Sequence, residues 1–366
     1  MTNKLKEYFP LLWEREELLA EIGGSRELHA MYEEWSRAQR EEFLDFCTGV
    51  RGMKILYDSF FKEVMNPEYA PERLEGFLCA VLKRKVRILR VLPNDSTRIS
   101  DEGSLLITDI VVELEDGALA NVEIQKIGYG FPGERSACYS ADMLLRQYRR
   151  VRSRQGEDFS YRDIKNVYLI VIYENSPREF KQFPKVYYHH ARQVFDSGLQ
   201  INLLQEFVMI PLDIFRAQMH NKPIETPLEA WLTFLGEDSP EKVIELITAY
   251  PEFQGMYATL YEMCRNTERV MRMFSEELRI LDRNTVKYMI EEQQKEIDSY
   301  KEQLQQKDEE WNRRLDQKDK ELIQKDKELD QKDKELDQKE EELHAAQERL
   351  VQLEAELAAV KGESLK

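Results

Sequence analysis

The chain is poor in cysteine, and its four thiols, Cys47, Cys79, Cys138 and Cys264, lie far apart with no CxxC pair. Neither a zinc-finger nor a disulfide framework is therefore written into it, and the pattern suits a reduced, cytoplasmic protein. No apolar run approaches the roughly 20 residues that cross a bilayer as a helix, so no membrane partner is expected. The opening MTNKLKEYFPLLWEREELL has no basic start leading into an uninterrupted apolar stretch, and does not read as a signal peptide. His189 and His190 are adjacent rather than at helical spacing, which argues against an imidazole metal centre. What the chain has in excess is acid, with a formal net charge of −17.

That excess is unevenly spread. Residues 291–366 carry 15 basic and 24 acidic side chains, and the remaining body carries 38 and 46. About half of the surplus therefore belongs to the tail. The body also holds two basic clusters, LKRKVRILR (82–90) and LRQYRRVRSR (145–154). Overall acidity does not exclude a nucleic-acid partner.

With 42% hydrophobic and 10% aromatic residues, the body can build a real core. Residues 10–50 read as helices broken at Gly23–Gly24, with Ser25 as an N-cap. Short amphipathic segments follow at 51–66 and, from Pro71, at 71–82. The period then changes. VRILRVL (86–92) reads as a strand, and 104–115 and 118–126 flank Asp116–Gly117, a hairpin signal. Residues 131–154 form a helix, and KNVYLIVIYE (165–174) is apolar enough for a central strand. Residues 185–194 and 206–210 extend the sheet, and 227–290 returns to helix. The order predicts an α/β protein with four stretches: helices at 1–50, a core at 51–226, a helical extension at 227–290, and a charged repeat at 291–366.

The hairpin carries an anomaly. TDIVVELEDGALANVEIQK (108–126) places Asp109, Glu123 and Gln125 where a strand favours Val, Thr or Ile. Charges on an exposed edge strand can serve against aggregation, but Asp109 is embedded in LLITDIVV, where burying a carboxylate is costly. Glu123 and Gln125 leave the same face of their strand. Across a tight hairpin, Asp109 falls beside them. Two close carboxylates raise each other's pKa unless a divalent cation neutralises them. A hard ion such as Mg²⁺ takes such oxygens and activates water at a phosphate.

An acid in a strand, a hairpin turn and then Glu-X-Lys or a variant resembles the signature of PD-(D/E)XK nucleases. TDIVVEL…ANVEIQK followed by a helix with Arg135 and Tyr139 is similar to the recombination-promoting nuclease family of transposase-like proteins. YDSFFKEVMNP (57–67) and LEGFLCAVL (74–82) resemble that family's upstream pattern, so the likeness covers roughly 51–180. It implies a restriction-endonuclease-like core, a mixed sheet flanked by helices, that cleaves DNA with Mg²⁺ or Mn²⁺. Asp109 and Glu123 would be the metal ligands, and Gln125 would stand at the lysine position. Thr108 stands where the signature has proline, and Lys126 points to the opposite face. Many members add a glutamate from the first helix, for which Glu75 is preferred to Glu72. Arg135 and Tyr139, one helical turn apart, would face the phosphate. Gln147 shares that helix twelve residues beyond Arg135, an imperfect match to the helical repeat. Arg146, Arg149 and Arg150 would neutralise phosphates, although cations near a helix C-terminus are also favourable without DNA. No zinc finger or helix-turn-helix is evident, so low sequence specificity is expected.

The tail repeats every seven residues, with Leu315, Leu322, Leu329, Leu336, Leu343, Leu350 and Leu357 in register. The second seam position is Lys325, Lys332 and Lys339, turning apolar only at Ala346, Leu353 and Val360. This predicts a long helix or weak coiled coil, with a homodimer formed in part through its end. Two other readings stay open. One is an interaction scaffold built on an inactive nuclease fold and joined through the tail; the other is an RNA nuclease, because the same chemistry serves either backbone.

Overall fold

The computed structural model describes residues 4–92, 110–127 and 133–363. The chain divides into two compact units, Met1–Tyr288 and Met289–Lys366. The first unit opens with α1 (Arg15–Gly24), α2 (Arg26–Glu34) and α3 (Arg37–Thr48). Ser25 caps α2, accepting from the Leu28 N–H at 3.4 Å. Ser36 and Gln39 close a capping box on α3. α4 (Asp58–Val64) and α5 (Pro71–Leu82) follow. Pro71 occupies the first turn of α5, where the missing N–H has no helical acceptor to lose.

The sheet begins with β1 (Ile88–Val91), β2 (Ile110–Leu114) and β3 (Leu119–Ile127), and α6 (Gly133–Gln155) leads to β4 (Val167–Asn175). Then come α7 (Arg178–Lys181), β5 (His189–Arg192), β6 (Gln205–Pro211) and α8 (Leu212–Met219). The helices α9 (Pro227–Gly236), α10 (Pro240–Ala249), α11 (Glu252–Cys264) and α12 (Thr267–Glu363) complete the order. The six strands lie as β1-β2-β3-β4-β6-β5. β1, β2 and β3 are antiparallel, β3, β4 and β6 are parallel, and β5 returns antiparallel to β6. The expected strand at 104–115 is seen over its described part, β2, and residues 104–109 lie outside the described residues.

The hairpin turn has the chemistry its sequence predicts. Gly117 adopts φ +83°, a left-handed value open to glycine, and Asp116 Oδ1 accepts from the Ala118 N–H at 3.0 Å. Alternation then sorts each strand onto two faces. Val112, Leu114, Ala120, Val122, Ile170, Ile172, Val208 and Ile210 join the main core with the amino-terminal helices, α8 to α11 and the start of α12. Leu119 and Val167 pack with Met143, and Leu169, Val171 and Tyr173 with Tyr139, so α6 covers the other face. β4 is covered on both sides, which explains its near-continuous apolar run.

The start of α12 is held in an aromatic cluster. Phe274 lies 4.9 Å from Trp35, 5.7 Å from Phe43 and from Phe46, and 5.9 Å from Tyr57, centroid to centroid. The helices of 1–50 and 227–290 thus share one core with the sheet. In the second unit, every described side chain from Ile297 to Ala355 is exposed.

Candidate active site

On the α6 side of β3, Leu119, Asn121, Glu123 and Gln125 alternate, and the last three are polar. Asn121 and Glu123 are buried, with exposures of 0% and 1%. Their neighbours across the parallel ladder are apolar: Asn121 pairs with Leu169, Glu123 with Val171 and Gln125 with Tyr173. A carboxylate in such surroundings requires donors or a cation. Asn121 Nδ2 donates to Glu123 Oε1 at 2.8 Å. An ionised carboxylate only accepts, so this contact fixes which end of the amide faces it. Asn121 Oδ1 then points elsewhere and, among the described residues, is buried with no hydrogen-bond donor.

Tyr139 closes this face from α6, packing with Leu169, Val171 and Tyr173. These are the residues registered with Asn121, Glu123 and Gln125. Arg135, one turn earlier on α6, donates to the Tyr139 hydroxyl at 2.9 Å, and its guanidinium lies 5.3 Å from that ring's centroid. Burial, with Glu179 nearby, pushes the Tyr173 hydroxyl well above the usual phenol range. Glu123 and Gln125 therefore lie on the face of the sheet that Tyr139 covers, and Arg135 is hydrogen-bonded to Tyr139. Asp109 lies outside the described residues. The residue after it, Ile110, pairs with Val122, the residue before Glu123.

Glu75 is not brought to this place. It sits on α5, in the helical layer on the opposite face. Its Oε1 accepts from the Ile88 N–H at 2.7 Å. Ile88 pairs with Leu114, at the turn end of the hairpin, whereas Glu123 is near the other end. An unpaired strand-end N–H next to α5 offers that carboxylate a donor, and it is taken.

The arginines of α6 divide. Arg146 pairs with Asp142 at 2.7 Å. Arg150 reaches Glu113 of β2 at 3.3 Å, and the same buried carboxylate also takes Arg90 at 2.5 Å and Arg154 at 3.4 Å. Burial lowers the Arg150 pKa against the pull of Glu113, and neighbouring Arg90 lowers it further. Arg149 is exposed. Arg146 and Arg150 thus answer carboxylates within the fold. Gln147 is also structural: it donates to Gly117 O and accepts from the Lys165 N–H, both at 2.8 Å, tying α6 to the hairpin turn.

Lys126 faces away from Glu123, as alternation requires. Its ammonium pairs with Glu277 of α12 at 2.5 Å and lies 4.0 Å from the Tyr57 ring centroid. Glu277, 1% exposed, also accepts from the Ser59 N–H at 2.9 Å and its hydroxyl at 3.1 Å. The histidines are occupied otherwise, with His190 Nε2 2.7 Å from Glu206 and His189 Nε2 3.1 Å from Val186 O. Sequence reading missed Asn121, Glu113 and Glu277. The first two share faces with residues it did single out, so strict alternation would have found them. Glu277 is 151 positions from its lysine and carries no local signal.

Among the described residues, no group of three or more His, Cys, Asp or Glu could hold a metal ion. On this face of the sheet the described residues offer the buried Glu123 carboxylate and the unpartnered Asn121 oxygen. Both are hard donors suited to Mg²⁺ or Mn²⁺, so the residues fit such an ion.

A mixed sheet sandwiched by helices, with a buried carboxylate in the second strand of a hairpin, defines a restriction-endonuclease-like α/β protein. The model of the PD-(D/E)XK nuclease family transposases matches residues 55–293, and the chain belongs to that family. No curated protein and no solved structure matches it.

Proposed function

We propose that this protein is a Mg²⁺- or Mn²⁺-dependent endonuclease that hydrolyses DNA phosphodiester bonds with low sequence specificity in the cytoplasm. The observation that carries this reading is the buried Glu123, which accepts from Asn121 on the face of the sheet that Tyr139 covers, with Arg135 hydrogen-bonded to Tyr139. Family membership supports a nuclease or transposase-like role. Asp109, one residue before the paired Ile110, is assigned as the second carboxylate.

A divalent cation bound to Asp109 and Glu123 would acidify a water and neutralise charge on the phosphate. Asn121 keeps the Glu123 carboxylate in one orientation. Gln125 hydrogen-bonds and orients the attacking water but, as an amide, cannot take its proton, which must leave to solvent or to the phosphate. Arg135 supplies positive charge beside the scissile phosphate, with its direction set by the Tyr139 hydroxyl. Arg149 adds a backbone contact; Arg146 and Arg150, already paired, contribute little. Within the four-part reading, 51–226 carries the chemistry, and the helices of 1–50 and 227–290 brace it.

The test is nicking of supercoiled plasmid with Mg²⁺ by the wild type, Asp109→Ala and Glu123→Ala. Cleavage by the wild type alone supports the proposal, and equal cleavage by all three overturns it. The scaffold reading is favoured by one observation, the exposed leucine stripe of the second unit, and predicts no nicking by any of them.

A further inference from the structure

The second unit presents an apolar stripe whose character changes along its length. Leu315, Leu322, Leu329, Leu336, Leu343 and Leu350 are all exposed, from 45% to 62%. With these leucines at position a of the heptad, position d is Lys318, Lys325, Lys332 and Lys339 and then Ala346 and Leu353. In the sequence the apolar pair continues through Leu357 and Val360. Only the last heptads therefore have both seam positions apolar, which knobs-into-holes packing requires.

The flanking charges change at the same point. In a parallel, in-register pair, position g of one helix faces position e of the next heptad on the other. Past one attractive pair, Arg314 with Asp319, the lysine-seamed repeats set Glu321 against Asp326, Glu328 against Asp333 and Glu335 against Glu340, all repulsive. Glu342 then faces the neutral Gln347, and Arg349 faces Glu354. The sequence repeats the attraction at Glu356 and Lys361. Antiparallel pairing would match Arg349 with Glu356 but leave Glu354 facing Gln347, so the parallel arrangement satisfies more of these charges.

We infer that the protein forms a parallel, in-register homodimer through the carboxy-terminal end of α12, from about Leu343 onward, while the lysine-seamed repeats before it remain unpaired helices. The occupant of the stripe is a second copy, because the complementary charges lie on this same segment at the spacing a two-fold pair needs. Parallel pairing attaches two bodies, and two candidate sites, to the same end of the zipper. The inference does not rest on the nuclease reading.

Sedimentation equilibrium of the full chain tests it. Wild type is expected to sediment with twice the chain mass. Leu350→Glu should give a monomer, whereas Leu329→Glu, equally exposed but in the lysine-seamed part, should leave the dimer intact. Arg349→Glu should raise the dimer Kd about tenfold, because it reverses two symmetry-related exposed pairs. Adding Glu354→Arg should restore the Kd to within about threefold. The last comparison does not depend on whether a seam variant keeps its helix. A monomeric wild type, equal dissociation by the two leucine variants, or failure of the double reversal to restore pairing would each overturn the inference.

Discussion

Asn121 helps Glu123 tolerate its burial, since its amide donates to that carboxylate beside Leu169 and Val171. Replacing it with Leu removes the donor while keeping bulk, and is expected to cost about 1–3 kcal/mol in urea unfolding. Plasmid nicking should fall at least about tenfold, the rate equivalent of about 1.4 kcal/mol. Asn121→Asp places a second carboxylate against Glu123. It should lower stability without metal and enlarge the rise in Tm on adding Mg²⁺, because ligand bound to the native state stabilises by mass action. A wild type whose Tm ignores Mg²⁺ and Mn²⁺ would remove the metal from the proposal. The ion pair of Lys126 and Glu277 makes a parallel case on the opposite face. Lys126→Met should destabilise by about 3–5 kcal/mol, because it strands a buried carboxylate, and adding Glu277→Leu should recover much of that loss. These residues mark the limit of local reading. Period-two alternation makes Glu123 and Gln125 legible as a shared face, and Lys126 as its reverse. Nothing in ANVEIQK indicates that Lys126 finds its carboxylate on α12, and nothing in LEGFL indicates that Glu75 is taken by the Ile88 N–H.

Among the elements, α6 was legible from sequence as a long helix but not in its allegiance. Its run of arginines suggests phosphate binding, yet the neighbouring strand supplies Glu113, and that buried acid claims Arg150 and Arg154 along with Arg90. The two roles separate in a salt titration. Arg149→Ala should reduce the slope of log K against log salt for DNA binding by about 1. Arg150→Ala should leave that slope nearly unchanged and lower the Tm, because Glu113 loses a cation; a comparable change in slope for Arg150 would return it to the phosphate-binding set. The junction of β4 with α8 offers a pH test. Burial opposes ionisation of Asp213, but hydrogen bonds from Lys181 and Ser176 outweigh it and hold the carboxyl below its ordinary value. The folded state thus binds this proton less readily than the unfolded chain, so the stabilisation is complete above the unfolded value near 3.8 and is lost as pH falls through the folded one. The destabilisation by Asp213→Asn should be full at neutral pH and fade in acid, read from urea midpoints at successive pH values. A difference independent of pH would assign the effect to packing.

At the scale of the whole chain, the heptad repeat announces the second unit, but periodicity could not reveal how early the same helix is committed to the first. α12 begins at Thr267, and its Val270, Met271, Phe274 and Leu278 are buried in the body's core. The amino-terminal helices and those of 227–290, separate in a sequence reading, are joined there because Trp35, Phe43 and Phe46 all meet Phe274. Two truncations should therefore behave very differently. Ending the chain after Tyr288 removes the exposed unit and none of these core contacts, so the remaining body should keep its Tm within about 2 °C, the shift that about 1 kcal/mol causes in a domain this size. Ending it after Asn266 strips the aromatic cluster and strands Lys126 without Glu277. Loss of Phe274 alone, as Phe274→Ala, should cost about 3–5 kcal/mol, so the shorter product should fail to unfold cooperatively. A cooperative transition in that shorter chain would show that the sheet and its first helices hold together without α12, and would return the carboxy-terminal helices to the status of an appendage.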